Sequence, residues 1–120
     1  MERTIPGSKA KGVIWLKITS GDSMVGFAAL GPYAPDSMKL HKLYLLPEFH
    51  GTGIGTRALA EVERIARDNA ATTLVLNVNR HNIKAIRAYQ RAGWQVAETL
   101  VVDIGNGFVM DDYIMTKHVS

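Results

Sequence analysis

The stretch Leu43-Tyr-Leu-Leu-Pro-Glu-Phe-His-Gly-Thr-Gly-Ile-Gly55, running into Thr56-Arg-Ala-Leu-Ala60, has the residue types of an anion site. Buried-strand residues lead to a Pro-Glu break, then to a glycine-rich turn, then to the first turn of an amphipathic helix. Such a turn leaves backbone N–H groups unpaired at the positive end of a helix dipole, where a phosphate binds. Glycines at 51, 53 and 55 let a ligand approach the backbone where a Cβ would intrude. Other residues with chemical potential are His41 on the approach to this turn, Asn82 and Tyr89 beyond it, and the pair Asp111 and Asp112 near the C-terminus.

Several phosphate ligands compete for the turn. Gly53-Ile-Gly-Thr-Arg-Ala58 matches the G-x-G-x-x-A of dinucleotide sites. Such a site wants an acid about 20 residues later to hold the ribose. This chain has no Asp or Glu between Asp68 and Glu98, and its next strand ends in Asn77-Val-Asn79. A nucleotide P-loop fails as well, because no Gly-Lys-Ser/Thr follows the glycines.

The elements that must position these residues can be read from patterning. Val13–Ile18 and Met24–Leu30 are strands joined as a hairpin through Thr19-Ser-Gly-Asp22. Gly31–Ser37 reads as a loop and Met38–Leu46 as a third strand, stopped by Pro47. Ile54–Asn69 is a helix whose Ile54, Ala58, Leu59, Val62, Ile65 and Ala66 form one apolar stripe, with Glu63 and Arg67 spaced as an i,i+4 pair. Thr72–Val78 is a buried strand, Asn82–Ala92 a second helix closed by Gly93, and Trp94–Ile104 with Phe108–His118 a long terminal hairpin about Gly105-Asn-Gly107. The order β-β-β-α-β-α-β-β predicts an α+β fold. A mixed, mostly antiparallel sheet contains one parallel pair, Met38–Leu46 with Thr72–Val78, joined by a right-handed crossover helix.

The 120 residues form a single domain, 1–120, with residues 1–11 as a loosely ordered start. Hydrophobic residues make up 47% and charged residues 21%, a folded composition with no stretch long enough to cross a membrane. The absence of cysteine excludes disulfides, thiolate metal sites and a cysteine nucleophile, and with no signal-like N-terminus points to the cytoplasm. The four histidines show no metal-ligand spacing. A net charge of +3, spread along the chain with one denser region at Arg80–Arg91, does not describe a nucleic-acid binder.

The segment Tyr44–Gly55 resembles the acetyl-coenzyme A signature of the GNAT superfamily of N-acetyltransferases, Gln/Arg-x-x-Gly-x-Gly/Ala, written here His50-Gly-Thr-Gly53-Ile-Gly55 with His in the first position. Asn79-Arg-His-Asn82-Ile-Lys-Ala85-Ile-Arg-Ala-Tyr89-Gln-Arg-Ala-Gly93-Trp94 resembles the family's next motif, N-x-x-A-x-x-x-Y-x-x-x-G-F, with Trp94 for Phe. Two motifs in the right order make the resemblance specific, and it runs from Met24 to the C-terminus.

The resemblance implies acetyl transfer from acetyl-coenzyme A to a primary amine by direct attack in a ternary complex. It implies that the pyrophosphate lies on the N–H groups of Gly51, Gly53, Gly55 and Thr56. The pantetheine arm then pairs like an added strand with the backbone of Leu43 and Leu45 where the parallel strands splay. His50 and Asn82 fall at coenzyme-contacting positions, although Asn82 equally fits a helix N-cap. Tyr89, which helical spacing alone reads as an amphipathic core residue, becomes the acid for the leaving thiolate. A phenol near ~10 and a thiol near ~8.5 are close enough for transfer.

The acceptor must be neutral to attack. A lysine-like amine near ~10.4 costs roughly 4.6 kcal/mol to neutralise at pH 7, an α-amino group near ~7.8 only about 1 kcal/mol. Candidate bases are His41, directly or through water, and one of Asp111 and Asp112, which alternate faces of the last strand. Met110–Met115 resembles the final strand of GNAT proteins that acetylate polyamines or other amino groups, which hints at a cationic acceptor. Arg57, Arg80, Lys84 and Arg87 are candidates for the coenzyme phosphates or for a solvated face.

The family usually begins with a further strand and two helices that wall the acceptor pocket. Here Val13 is preceded by a dozen residues. A homodimer would supply such a wall. Two other readings stay open: a non-catalytic coenzyme-binding or interaction module, and a dinucleotide-binding fragment.

Overall fold

Seven strands and two helices make up the computed structural model, which describes residues 2–4 and 12–119. The strands are β1 (Glu2–Thr4), β2 (Ile14–Ser20), β3 (Ser23–Ala34), β4 (Ser37–Leu45), β5 (Thr73–Asn79), β6 (Gln95–Gly105) and β7 (Phe108–His118). The helices are α1 (Ile54–Asp68) and α2 (Ile83–Arg91), and a short 3-10 turn covers Pro47–Phe49. One sheet runs β1-β2-β3-β4-β5-β7-β6. Every neighbouring pair is antiparallel except β4 and β5, the parallel pair bridged by α1.

Alternation decides which face is buried. In β5, Leu74, Leu76 and Val78 are buried while Asn77 and Asn79 are exposed. Those three apolar residues share one cluster with Leu59, Val62, Ile65 and Ala66 of α1, Ile86 of α2, Trp94 and Met115. Both helices therefore pack on the same face of the sheet, and the α1 stripe expected from spacing is the stripe that is buried. Each fully buried Leu, Ile or Val contributes about 1.5–3 kcal/mol of transfer free energy.

The hairpin turn Gly105-Asn106-Gly107 has positive φ throughout, at 95°, 53° and 79°, which is why glycine and asparagine stand there.

The structure departs from the sequence reading in four places. Glu2–Thr4 pairs antiparallel with Trp15–Lys17 instead of forming part of a loose start, while residue 1 and residues 5–11 of that expected start lie outside the described residues. The loop expected over Gly31–Ser37 shrinks to Pro35-Asp36, because β3 continues through Pro32 to Ala34 with an irregular register that accommodates the proline. The Pro-Glu break is itself a helical turn. Glu63 does not pair with Arg67: it meets Lys117 Nζ of β7 at 3.0 Å, and Arg67 Nη1 reaches the carbonyl of Val119 at 3.5 Å. A half-buried carboxylate gains more from a cation brought by the sheet than from an exposed neighbour one turn along.

Candidate active site

The parallel pairing of β4 and β5 covers only Ser37–Lys39 against Thr73–Val75. Beyond Lys39 the strands part. On its other edge β4 pairs Leu40 with Leu30 and Lys42 with Ala29, so His41 has no partner in β3 and forms a bulge. A bulge bends its strand and re-aims the side chains around it. β5 meanwhile stays paired to β7 along its whole length, from Thr73 with His118 to Asn79 with Asp112. One strand follows β3 and the other follows β7, and a slot opens between them.

The slot is a cleft of about 290 Å³ with walls of Leu40–Leu43, Leu76–Asn79 and the residues Asn82, Ala85 and Tyr89. Leu43 and Tyr89 pack against the core under the helices. Lys42 and Asn77, next to inward-facing residues, alternate to the face that carries no helix among the described residues. The slot thus runs through the sheet, with α2 at one mouth and Lys42 and Asn77 at the other.

Tyr89 is half-buried, its ring 5.7 Å from the Trp94 ring at an interplanar angle of 58°. Burial pushes its phenol above the usual range, so it stays protonated at neutral pH. His41 is shifted the other way, first by desolvation and then by the Lys39 ammonium, so it is neutral and able to accept a proton. Asn82 Oδ1 accepts from Ala85 N at 3.3 Å as a helix cap, and the residue lines the slot with its NH₂ still available.

Past the end of β4 lies the glycine turn. Gly51 and Gly53 have φ of 77° and 87°, and a Cβ at either would meet no atom within 4 Å. Glycine is required there by backbone conformation, and the space in front of it is open rather than filled. The first helical bond of α1 is Arg57 N to Gly53 O at 3.1 Å. Hence the N–H groups from Gly51 to Thr56 donate to no acceptor among the described residues, six donors left open at a helix start. Thr52 Oγ1 donates to Phe49 O at 2.6 Å, and His50 Nε2 lies 2.9 Å from Leu45 O. The imidazole therefore ties the turn back to the end of β4.

Asp111 and Asp112 do not line the slot. Asp111 Oδ2 accepts from Arg80 Nη2 at 2.7 Å, which occupies that arginine, and Asp112 stands beside Asn79 in register. Arg57, Lys84 and Arg87 are exposed. Among the described residues no group of three or more His, Asp or Glu is placed to hold a metal, and no helix is long and apolar enough to cross a membrane. Sequence reasoning missed Lys42, Asn77 and Asn79 as lining residues. Their signal was present in Asn77-Val-Asn79, polar side chains alternating at the end of an otherwise apolar strand.

A splayed parallel pair beside a glycine turn with free N–H groups is the arrangement that the two sequence motifs imply. Residues 4–94 match the model of the acetyltransferase (GNAT) family, and the chain belongs to that family. The match reaches further toward the N-terminus than the two motifs do.

The chain is 33% identical over 96 residues to an uncharacterized N-acetyltransferase of Mycobacterium tuberculosis, covering 80% of this chain and 61% of that protein. It thus spans less than two thirds of that relative's length. Among solved structures, a GNAT-family protein of Desulfovibrio desulfuricans superposes with a TM-score of 0.80 at 26% identity, covering 91% of this chain and 71% of that one. The PaiA N-acetyltransferase of Thermoplasma acidophilum, solved in complex with coenzyme A, gives 0.73 at 27%, covering 89% and 61%.

Proposed function

We propose that the protein transfers an acetyl group from acetyl-coenzyme A to a primary amine. The observation that carries this reading is the slot between β4 and β5, lined by a neutral imidazole and a protonated phenol and bordered by the strand that leads into the open N–H turn at Gly51–Thr56. The coenzyme, when bound, supplies an acetyl carbon activated as a thioester.

The chain's own groups supply the rest. The cradle holds phosphate oxygens with backbone donors and the α1 dipole. Past Lys39, the edge of β4 that faces the slot is released from β5 and offers its backbone, Leu43 and Leu45 included, to the amides of the arm. Asn82 adds an amide donor at the α2 mouth. His41 takes the proton lost by the acceptor nitrogen, directly or through water. Tyr89 holds a proton at its phenol oxygen for the thiolate that leaves.

Titration calorimetry with acetyl-coenzyme A, followed by a thiol-release assay over a panel of amines, tests the reading. Micromolar binding with amine-dependent thiol release is expected. Absence of binding at millimolar ligand overturns it, and binding without transfer to any amine leaves a coenzyme-binding module in its place.

A further inference from the structure

The helix-free mouth of the slot is unevenly charged. Lys39, His41 and Lys42 follow one another closely on β4, while the facing wall on β5 offers the neutral amides Asn77 and Asn79. Among the described residues no carboxylate lines the slot. Of the two nearby acids, Asp111 is paired with Arg80, and Asp112 is the register partner of Asn79 on the same face, one strand further from Lys42 than the β5 wall.

The cations differ in availability. Lys39 Nζ lies over the Tyr33 ring, 5.7 Å from its centroid. Lys42 is exposed, and among the described residues its ammonium makes no ion pair or hydrogen bond. Across the slot, Asn79 spends its Oδ1 on His81 N at 2.9 Å and keeps its NH₂. The mouth therefore sets one free positive charge opposite neutral amides that can donate. That chemistry recognises an anionic oxygen and repels a second ammonium.

We propose that the acceptor is an amine that also carries a carboxylate, an amino acid or short peptide, with Lys42 anchoring the carboxylate while the amine enters the slot toward His41. This rests on the acetyl-transfer reading and sets aside the polyamine class hinted at by Met110–Met115. In the step implied, the amine nitrogen bonds the acetyl carbon and the C–S bond breaks. The thiol leaves with one proton, and the product keeps its carboxylate as an N-acetyl amino acid or peptide.

The test pairs acceptors that differ only in that group: alanine with alaninamide, and alanylglycine with its amide, alongside spermidine. Expected is a KM about tenfold lower for the carboxylates than for their amides, the size of one charged hydrogen bond. Lys42→Ala is expected to remove that difference in KM, and Lys42→Glu to favour spermidine. Calorimetry with N-acetylalanine, expected to bind wild type and not Lys42→Glu, reads the anchor without turnover. Equal KM for each pair, or wild-type preference for spermidine, overturns the proposal while leaving acetyl transfer intact. Loss of acetyl-coenzyme A binding in wild type overturns both. Preference for alanylglycine over alanine assigns the peptide and supports it.

Discussion

The ring of Tyr89, which lines the slot, rests 5.7 Å from the ring of Trp94, and the Trp94 amide donates to the Tyr89 carbonyl at 3.0 Å. A residue at the surface of the slot is thus held by one that is only 3% exposed. Tyr89→Phe keeps this packing and removes only the phenol oxygen. It is expected to lower kcat by about a hundredfold, with little change in the KM for acetyl-coenzyme A or in thermal stability. Trp94→Ala opens a cavity and is expected to cost about 3–5 kcal/mol in denaturant unfolding.

The enzyme's own groups should add no titration across neutral pH, so kcat/KM for the acceptor should rise with pH only toward the pKa of the amine itself, about 7.8 for an α-amino group. In the proposed mechanism His41 is the base in its neutral form, and its pKa is lowered, so the enzyme's contribution to kcat/KM is expected to fall only on the acid side of ~6.5. In that mechanism Tyr89 is the acid in its protonated form, and its pKa is raised, so the alkaline limb is expected above ~10. Stability follows the same signs. The His41 contribution is present above the unfolded pKa and is lost as pH falls through the lower folded value. The Tyr89 contribution is present below ~10 and is lost as pH rises through the raised folded value. A pH-rate profile and chemical denaturation at several pH values check both.

Gly53 caps α1 at φ 87°. Gly53→Ala places an L side chain in the left-handed region, at a cost of about 1–2 kcal/mol. Its methyl would meet no protein atom and would stand in the open space before the cradle. Coenzyme affinity is expected to fall by more than stability does, as calorimetry and thermal unfolding together would show.

His50 ties the turn to Leu45 O through its ring. His50→Ala is expected to weaken coenzyme binding several-fold by freeing the turn. His50→Gln, with an amide donor of similar reach, is expected to recover most of that loss. Equal affinities for both variants would remove the tie as a cause.

Lys117 meets Glu63 Oε2 at 3.0 Å and the carbonyl of Ala92 at 2.6 Å, joining β7, α1 and the end of α2. Lys117→Ala leaves a half-buried carboxylate and a helix-end carbonyl without their donor. A loss of roughly 2 kcal/mol is expected, measured by urea unfolding, with Glu63→Gln milder because the amide still accepts.

Much of this was legible in the sequence because it is local. The α1 stripe, the strand alternation, the Gly51–Gly55 turn and the Gly93 stop are each set by residues within a few positions of one another, and periodicity and backbone conformation act at that range. The two motifs also announced the family. What the tertiary structure decided depends on pairing between distant segments. Strand β1 forms only because β2 offers an edge. Glu63 takes Lys117, 54 positions away, over Arg67 one turn along. The slot itself has no local signature. It arises because Ala29 pairs with Lys42 and leaves His41 bulged, while β5 is held to β7. Register between strands is fixed by the burial of whole faces, so only the assembled sheet could set Lys42 and Asn77 across from each other.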